Sequence, residues 1–495
     1  MRELLQDPVA ISFFVYTLAI FGLGIYSARL SKGTAADFFL ADRGLGAWVA
    51  ALSASASAES GWVTMGLVGM AYKTGVAALW IVVGTFAAFL FNWFVIAWRL
   101  RTSAQQSDSL TLPDVLAAPH RGSAATMIRI VGVLIILSML AAYVAANLNA
   151  AGKMFQETFD WTYATGVLIG AGFVIIYTIT GGFRAVAWTD VVQGSFMIFI
   201  VIVLPVMLIS KIGGWNEFWS KLAADPRSST LTDPVAGNTG LALIGFFALY
   251  LGIPLGNPGQ PHVLIRLMAV KDKTAVLRGG VISSAWVVAL FTGAIFLGMA
   301  ARVTFGEMAD PEATLMVIAT DSSIVPGFVG GMIIAAVLAA ICSTVDSQLL
   351  VSASAVSHDV MVKLFGIELS PKVQMVIDRL AVLAVGAIAT AIAMSDVRSV
   401  FDFVLAYGWA GLGAGFGPAL IMTLLWRRTT GWGVVTGMVV GVATAIIWKQ
   451  FPDLQKQVYN LVPAFAFSLM TIVIVSLAMP KPRNDSASAA DAAAR

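Results

Sequence analysis

The sequence contains little charge: only 12% of its 495 residues are Asp, Glu, Lys or Arg. A soluble domain carries about 25% charged residues, so this composition excludes an ordinary soluble protein. The formal net charge of +3 is small and gives no indication of a nucleic-acid partner. The single cysteine, Cys342, excludes an internal disulfide and a cysteine-based metal cluster.

Motifs of catalysis are also missing from the sequence. It contains no metal-ligand spacing, no nucleophile elbow and no phosphate-binding loop. We therefore do not expect an enzyme. No secretory signal is evident, because acidic residues precede the first apolar segment and that segment is long enough to remain as a helix.

Apolar residues dominate the chain, at 59% of all residues with a mean hydropathy of +0.86. A run of about 20 apolar residues can cross a hydrocarbon core about 30 Å thick. We predict an all-α polytopic protein of the lipid bilayer with about 13 transmembrane helices. The predicted spans cover about 9–29, 46–71, 76–98, 126–152, 161–182, 186–210, 239–261, 279–301, 326–350, 374–394, 400–426, 431–450 and 457–478.

The lysines and arginines predict how the chain lies in the membrane. With the N-terminus outside and the C-terminus in the cytoplasm, about 20 of the 30 basic residues fall on the cytoplasmic side, in agreement with the positive-inside rule. The reverse orientation would invert this bias. The residues assigned to cytoplasmic segments include Arg99, Arg101, Arg266, Lys271, Lys273, Arg278, Arg427 and Arg428.

Two spans contain residues that weaken a helix. Residues 51–66 read ALSASASAESGWVTMG and place Glu59 among Ser, Ala and Gly. Residues 252–262 read GIPLGNPGQPH, where three prolines and three glycines interrupt the backbone hydrogen bonds. Such backbone persists at membrane depth only where it lines a cavity or is buried in protein. Tight helix packing through small residues is the alternative interpretation.

The two interrupted segments are the second and seventh predicted spans, so they lie five positions apart in the order of spans. Spans 2–6 and 7–11 then form two repeats of inverted topology, a pattern that indicates a transporter with a central binding site. The predicted organisation is an extra N-terminal helix and loop (1–45), a first five-helix repeat (46–210), an extracytoplasmic loop (211–238), a second inverted repeat (239–426), two additional helices (427–480) and a disordered cytoplasmic tail (481–495).

Three acids fall inside predicted spans or at their edges: Glu59, Asp190 and Asp346. Charge inside a bilayer is costly and usually functional. Around the third acid, the residues AAICSTVDSQLL place Ser343, Asp346 and Ser347 on one helix face.

Oxygen-bearing groups of this kind suit a hard cation. Thr344 and the carbonyl of Ala340 lie on an adjacent line of the same helix, and unwound carbonyls near Ala56 and Glu59 would complete the shell of ligands. The alternative is that these hydroxyls only bond the preceding turn of their own helix.

The motifs of this chain resemble those of the sodium–solute symporter family, and most closely those of its bacterial sodium/proline symporters. The similarity extends from about residue 10 to residue 475. It includes ADRGLG (41–46), ASAESGW (56–62), LTLPD (110–114), GGFRAVAWTD (181–190), GQPHVLIRLMA (259–269), STVDSQLLV (343–351) and YGWAGLGAGFGP (407–418).

This resemblance implies the five-plus-five inverted-repeat fold of the leucine-transporter type, in a bacterial cytoplasmic membrane. It implies a sodium site formed by Ala56, Glu59, Ala340, Ser343 and Thr344. A further sodium site is implied at Asp190, Ser343, Asp346 and Ser347. The expected substrate-binding residues are Ser60, Gly61, Trp62, Tyr143, Asn257, Gln260 and Pro261.

Two departures from the family pattern concern the site. The proline symporters commonly have an acid where this chain has Ala58, and Glu59 follows one residue later. A shift of one residue rotates a side chain by about 100° around a helix, so Glu59 is not expected to make the same contact. Aromatic residues of the proline-type pocket are replaced here by Ile253 and Asn257.

The expected function is sodium-coupled symport of a small zwitterion, with L-proline as the first choice and sodium as the coupling ion. Another amino acid, a small carboxylate or an osmolyte is the alternative solute. A membrane solute sensor with a separate signalling partner is the alternative class of protein. The sequence gives no indication of oligomeric state.

Overall fold

The computed structural model of the protein describes residues 6–28, 35–395, 400 and 404–480. Within these residues the secondary structure is helical, and the one β contact is an isolated bridge between Leu45 and Val270. The all-α prediction is confirmed. The tail at 481–495, predicted to be disordered, lies outside the described residues.

Thirteen principal helices form the body of the protein. They are α1 (Pro8–Ala28), α2 (Ala47–Gly61), α3 (Leu79–Leu90), α4 (Gly122–Phe159), α5 (Tyr163–Ile212), α6 (Leu241–Tyr250), α7 (Pro261–Ala269), α8 (Lys273–Phe305), α9 (Gly327–Ser354), α10 (Pro371–Ala393), α11 (Ala410–Leu425), α12 (Gly431–Lys449) and α13 (Leu461–Ala478).

Shorter helical elements connect or extend these helices. The π-helical turns are Trp62–Leu67, Phe91–Ala97, Ala355–Leu364 and Val404–Trp409. The 3-10 helices are Ala41–Arg43, Gly75–Ala78, Ile253–Gly259 and Pro311–Ala313. The short α-helices are Ala35–Leu40, Val68–Thr74, Trp98–Gln106, Leu112–Ala117, Trp215–Ala223, Ser228–Leu231, Thr314–Thr320 and Pro452–Gln457.

Ten helices of the described chain are long and apolar enough to cross a membrane. One of them is the helical run Ala47–Gln106, which contains a break and whose 60 residues are enough for two crossings. Pro8–Gly24 and Tyr163–Ile179 are apolar but shorter. The protein is therefore a multi-pass membrane protein, while the exact number of thirteen spans stays a prediction.

The first interruption lies at the end of α2. Ser60 has φ 30° and ψ −177°, outside the helical region, and the chain then resumes as a π-helical turn. A serine at positive φ is strained, and such strain persists only where the surrounding structure holds it. Asn147 of α4 provides part of that support, because its Oδ1 accepts the Gly61 N–H at 3.1 Å.

The second interruption follows α6. A 3-10 helix, Ile253–Gly259, replaces the α-helix, and Gln260 is extended, with φ −92° and ψ 100°. Helix α7 then begins at Pro261, where a missing N–H costs no intrahelical hydrogen bond. Both interruptions therefore lie in the segments that the sequence predicts.

The predicted fifth and sixth spans join into one bent element, α5. Its kink lies at Gly182, with φ 65° and ψ 174°, which is the position predicted for the end of the fifth span. A Cβ at Gly182 would also lie 3.1 Å from the Phe38 ring. Glycine accepts this positive φ without a steric cost, so the chain turns here without a separate loop.

The broken end of α2 lies in the interior of the protein. Helices α5, α8 and α9 pack against it, and every residue from 50 to 72 is buried. On α9 the stretch 333–355 is buried as well. A helix that is buried on all sides belongs to the core of a bundle rather than to its lipid-facing surface.

The second interruption packs closely against α11. A Cβ built at Gly413 would lie only 2.6 Å from the Gly256 Cα, so the two backbones touch without side chains between them. Small residues at this contact let the two backbones approach each other closely. The 3-10 segment is therefore covered by protein rather than exposed to lipid.

We expect Gly413→Ala to destabilise the protein by about 1–3 kcal/mol, because the added methyl group forces two backbones apart. Thermal unfolding of the purified protein in detergent measures the effect. Gly22→Ala is the matched control, since a Cβ at Gly22 meets nothing within 4 Å. Equal unfolding temperatures for the two variants would show that this contact is not tight.

Candidate functional site

Helices α2 and α9 meet through backbone and hydroxyl oxygens. Ser343 Oγ lies 3.2 Å from the Ala56 carbonyl oxygen and 3.3 Å from the Ala340 carbonyl oxygen. All three residues are fully buried. Ala340 lies one turn before Ser343, which is why its carbonyl reaches the same hydroxyl. The result is a compact group of hard oxygens, the ligand type that suits a small cation.

The other two residues of the predicted sodium site have different partners in this conformation. Thr344 Oγ1 donates to the carbonyl of Ser57 at 3.1 Å, one residue beyond Ala56. The Glu59 carbonyl accepts the Trp62 N–H across the break. The structure therefore brings Ala56, Ala340 and Ser343 together and places Thr344 against the same turn of α2.

A second polar cluster contains the predicted acids Asp190 and Asp346. Asp190 Oδ2 accepts hydrogen bonds from Ser53 Oγ at 2.6 Å and from Ser57 Oγ at 3.4 Å. Asp346 Oδ1 accepts from Ser347 Oγ at 3.0 Å. Ser347 Oγ in turn lies 3.2 Å from Ser57 Oγ. These hydroxyls connect both carboxylates to α2.

Arg266 of α7 joins this cluster, and the sequence analysis did not place it there. Its Nη2 donates to Asp190 Oδ2 at 3.0 Å and also to Ser347 Oγ, while its Nε donates to Ser53 Oγ at 3.0 Å. The side chains of Arg266 and Asp190 are both 0% exposed. They form a fully buried ion pair.

The sequence assigned Arg266 to a cytoplasmic segment, whereas the structure shows its side chain buried in an ion pair; the side of the membrane on which it lies stays a prediction. Helix α7 starts immediately after the second interruption and carries the arginine into the interior rather than into a loop. The available signal was a lone arginine within the apolar run HVLIRLMA, since charges in such runs usually have a buried partner.

The charges of this cluster do not balance. Arg266 supplies one positive charge, whereas Asp190 and Asp346 supply two negative charges when both are ionised. Asp190 Oδ1 and Asp346 Oδ2 are buried and accept no hydrogen bond from the described part of the chain. Buried charge is strongly destabilising unless it is paired, so one further cation would complete the cluster. The further sodium site predicted from Asp190, Ser343, Asp346 and Ser347 falls on these oxygens.

A small pocket lies beside the break in α2. Its free volume is about 20 Å³, so its side chains nearly close it in this conformation. The predicted substrate residues Trp62, Tyr143 and Asn257 lie in its wall. The full lining is Ala58, Glu59, Trp62, Thr85, Phe89, Tyr143, Ile253, Pro254, Asn257, Phe291, Val404, Leu405 and Trp409. Apolar walls with a few polar groups are typical of small-molecule pockets.

Three aromatic side chains of this pocket were not predicted from the sequence: Phe89, Phe291 and Trp409. The Phe291 ring is tilted relative to the Trp62 ring, with centroids 5.8 Å apart, and Phe89 lies in the same lining. Trp409 Nε1 donates to the Ile253 carbonyl at 2.6 Å. The pocket therefore has aromatic walls even though Ile253 itself is aliphatic.

The predicted substrate residues Gln260 and Pro261 do not line this pocket. Gln260 Nε2 donates to the carbonyls of Gly256 and Trp409, at 3.1 and 3.2 Å, and so fixes the second interruption to the segment before α11. Pro261 begins α7. Both residues therefore hold the backbone in place next to the pocket.

The predicted residues Ser60 and Gly61 lie at the break but also outside the lining. Their region was expected to offer free N–H groups to a carboxylate. In this conformation the Gly61 N–H donates to Asn147 Oδ1 and the Trp62 N–H donates to Ser60 Oγ at 3.1 Å. Both donors are therefore already satisfied within the protein.

The motif LTLPD ties the chain before α4 to the segment that follows α9. Thr111 Oγ1 donates to Asp359 Oδ1 at 2.7 Å, and Asp114 pairs with Arg129 at 2.8 Å and with His358 at 3.3 Å. Burial acts to raise the pKa of Asp114, but hydrogen bonds from His358 and Arg129 outweigh it and lower that pKa to about 2. The carboxylate is therefore ionised, and this ion-pair cluster fixes one end of α9.

This fold and these oxygen clusters define the class of protein. Two interrupted helices that meet a polar helix in the core of a membrane bundle are the architecture of a secondary transporter. A sodium-coupled sialic acid symporter, solved in a substrate-bound outward-open state, has the same fold with a TM-score of 0.80 and 18% identity, covering 96% of this chain and 99% of that chain. The predicted inverted-repeat fold of the leucine-transporter type is confirmed.

Comparison of sequences gives the family. The model of the sodium:solute symporter family matches residues 38–441. The sodium/proline symporter of Escherichia coli (strain K12) is 34% identical over 480 residues, which cover 96% of this chain and 93% of that protein. The high-affinity proline transporter PutP of Bacillus subtilis (strain 168) is 34% identical over 463 residues, which cover 92% and 95%. The chain belongs to the sodium:solute symporter family, as its motifs predict.

We expect Arg266→Met to destabilise the protein strongly, because it leaves Asp190 buried without its counter-charge. Breaking a buried pair costs about 3–5 kcal/mol, whereas replacing both partners is close to neutral. Thermal unfolding in detergent should therefore show a large loss for Arg266→Met and recovery in the double variant Arg266→Met/Asp190→Asn.

Arg427→Met serves as the control for this pair, since Arg427 is exposed. A single variant at position 266 that unfolds at the wild-type temperature would contradict the buried ion pair. A double variant no more stable than the single one would do the same.

Proposed function

We propose that the protein is a secondary active transporter that couples sodium to the uptake of a small zwitterionic solute, with L-proline as the first choice. The observation that carries this proposal is the contact of Ser343 Oγ with the Ala56 carbonyl at 3.2 Å, at the break of α2. The names of the relatives in Escherichia coli and Bacillus subtilis support proline as the solute.

Sodium binds, in this proposal, between α2 and α9. Its ligands are the carbonyls of Ala56, Glu59 and Ala340 together with the hydroxyls of Ser343 and Thr344. Carbonyls freed by the broken helix replace water around the ion, and the hydroxyls of the intact helix complete the shell. An ion held in this way links the two helices and favours one arrangement of the pocket beside them.

A further sodium ion is proposed at Asp190, Ser343, Asp346 and Ser347. The two free carboxylate oxygens and the excess of one negative charge over Arg266 support this second site. Sodium there would balance the cluster without any rearrangement of its ion pair.

The solute binds in the pocket beside α2. Trp62 and Tyr143 provide its aromatic wall, and Asn257 provides an amide. Ser60 and Gly61 receive the solute's carboxylate once the pocket opens and the Gly61 N–H exchanges Asn147 for the ligand. Gln260 and Pro261 shape the backbone behind it.

Coupling follows from the shared break in α2. If bound sodium raises the affinity for the solute by some factor, then bound solute must raise the affinity for sodium by the same factor. Each charge that crosses the full membrane field contributes about 2.3 kcal/mol per 100 mV. Rocking of one repeat (46–210) against the other (239–426) would then expose the site to each side in turn.

The orientation that fits this function has the N-terminus outside the bacterial cytoplasmic membrane and the C-terminus in the cytoplasm. The loop at 211–238 is then extracytoplasmic, and the helices at 427–480 and the first segment at 1–45 lie outside the repeats. Basic residues such as Lys273 and Arg427 support it.

Two alternatives remain for the function. The first keeps sodium symport and changes the solute to another amino acid, a small carboxylate or an osmolyte, and Ile253 in place of an aromatic residue favours it. The second is a membrane sensor with a separate signalling partner. No enzymatic activity and no nucleic-acid partner form part of the proposal.

Uptake of radiolabelled proline into proteoliposomes tests the function. We expect accumulation above the external concentration when an inward sodium gradient is imposed, and none when potassium replaces sodium. Labelled alternatives in the same assay identify the solute if proline fails. Absence of sodium-driven uptake of any solute in the panel, together with sodium-dependent solute binding, would favour the sensor.

Ser343→Ala tests the proposed ion site within this assay. We expect the sodium concentration for half-maximal uptake to rise at least tenfold, because an ion ligand is lost and contacts to charge are each worth about 1.5–3 kcal/mol. Ser352→Ala is the matched control, since Ser352 Oγ bonds only the Gln348 carbonyl of its own helix. Equal sodium dependence in the two variants would remove Ser343 from the site.

A further inference from the structure

Glu59 lines the pocket and has one carboxylate oxygen that no described residue contacts through a hydrogen bond. The residue is 1% exposed and belongs to the pocket lining. Its Oε2 accepts a hydrogen bond from Trp286 Nε1 at 3.0 Å, which fixes the side chain. Its Oε1 is buried and has no hydrogen-bond partner among the residues that the structure describes. One oxygen therefore positions the group, and the other is available to a ligand.

The pocket supplies no positive charge of its own to this acid. Among the thirteen lining residues that the structure describes, Glu59 is the one acid, and none is Lys, Arg or His. A buried carboxylate without a partner is costly, so a cationic group that enters the pocket is strongly favoured. The aromatic rings of Trp62 and Phe291 add to this preference, because a cation is attracted to a ring face.

We propose that Glu59 is a specificity-determining residue that receives the positively charged amino group of the transported solute. The inference rests on the proposed function, since it assigns a partner to one end of the zwitterion in the same pocket. It defines the substrate class as small, largely apolar molecules with a protonated amine. Isosteric acids that lack the amine are excluded, because they bring a second negative charge to Glu59.

This role also explains the shift of one residue in the motif ASAESGW. The side chain of Ala58 leaves space in the lining, and the acid stands one position later, where Trp286 of α8 can hold it. Glu59 thus belongs to the pocket lining, while the Ala56 carbonyl of the preceding turn lies 3.2 Å from Ser343 Oγ of α9.

The test compares ligands that separate the two charges of proline. Pyrrolidine carries the amine alone, and cyclopentanecarboxylate carries the acid alone. Binding to the purified protein in detergent is measured by isothermal titration calorimetry at pH 7 in sodium chloride. We expect wild-type protein to bind pyrrolidine at least tenfold more tightly than cyclopentanecarboxylate, since hydrogen bonds to charged groups are each worth about 1.5–3 kcal/mol.

Three variants complete the experiment. Glu59→Gln should lose at least tenfold in affinity for pyrrolidine, and Glu59→Asp, which keeps the charge, should retain the preference for the amine. Glu157→Gln makes the same chemical change at an exposed acid and should bind both ligands as the wild type does. A sodium-dependent rise in unfolding temperature shows that each variant is folded.

Each outcome bears on a different claim. Wild-type protein that binds the two ligands equally, or binds neither, overturns the role of Glu59, as does an unchanged preference in Glu59→Gln. Preference for the amine without sodium-driven uptake of any solute in the panel upholds Glu59 and removes the proposed transport. Sodium-driven uptake with no preference for the amine upholds the transport and removes Glu59.

Discussion

Backbone oxygens that a broken helix frees cannot face lipid, and the whole interior of this protein is arranged around that constraint. The break at Ser60 is surrounded by α5, α8 and α9, and the break at 253–259 is packed against α11. Beside the first break, the Ala56 carbonyl lies 3.2 Å from the hydroxyl of Ser343. In the proposed function, backbone oxygens of this turn are ligands of the sodium site.

Buried charge is the second constraint on the structure of this interior. The buried pair of Arg266 and Asp190 connects α7, which follows the second interruption, to α5, and hydroxyls of Ser53 and Ser57 extend the connection to α2. When Asp190 and Asp346 are both ionised, the group is one positive charge short. Both interrupted segments of the two repeats thus meet at one polar cluster, so a cation that binds there acts on both at once.

Much of this arrangement could be predicted from local sequence. Clustered Pro and Gly locate the break at 252–262, and helical spacing places Asp346 and Ser347 on one face with Ser343, which lies three and four residues earlier. Arg266 and the aromatic wall at Trp409 could not be found in this way, because their positions depend on packing between segments far apart in the chain. A basic residue near the end of a span looks the same in sequence whether the chain turns inward or leaves the membrane.

Hydrogen exchange measured by mass spectrometry tests the central claim that sodium joins the broken helix to α9. Amides of residues 56–62 and 340–347 should exchange more slowly in sodium than in potassium at equal ionic strength, because one ion would hold both segments. Ser343→Ala should abolish that difference in both. Exchange that is identical in the two salts, or sodium protection that survives in Ser343→Ala, would contradict a shared site.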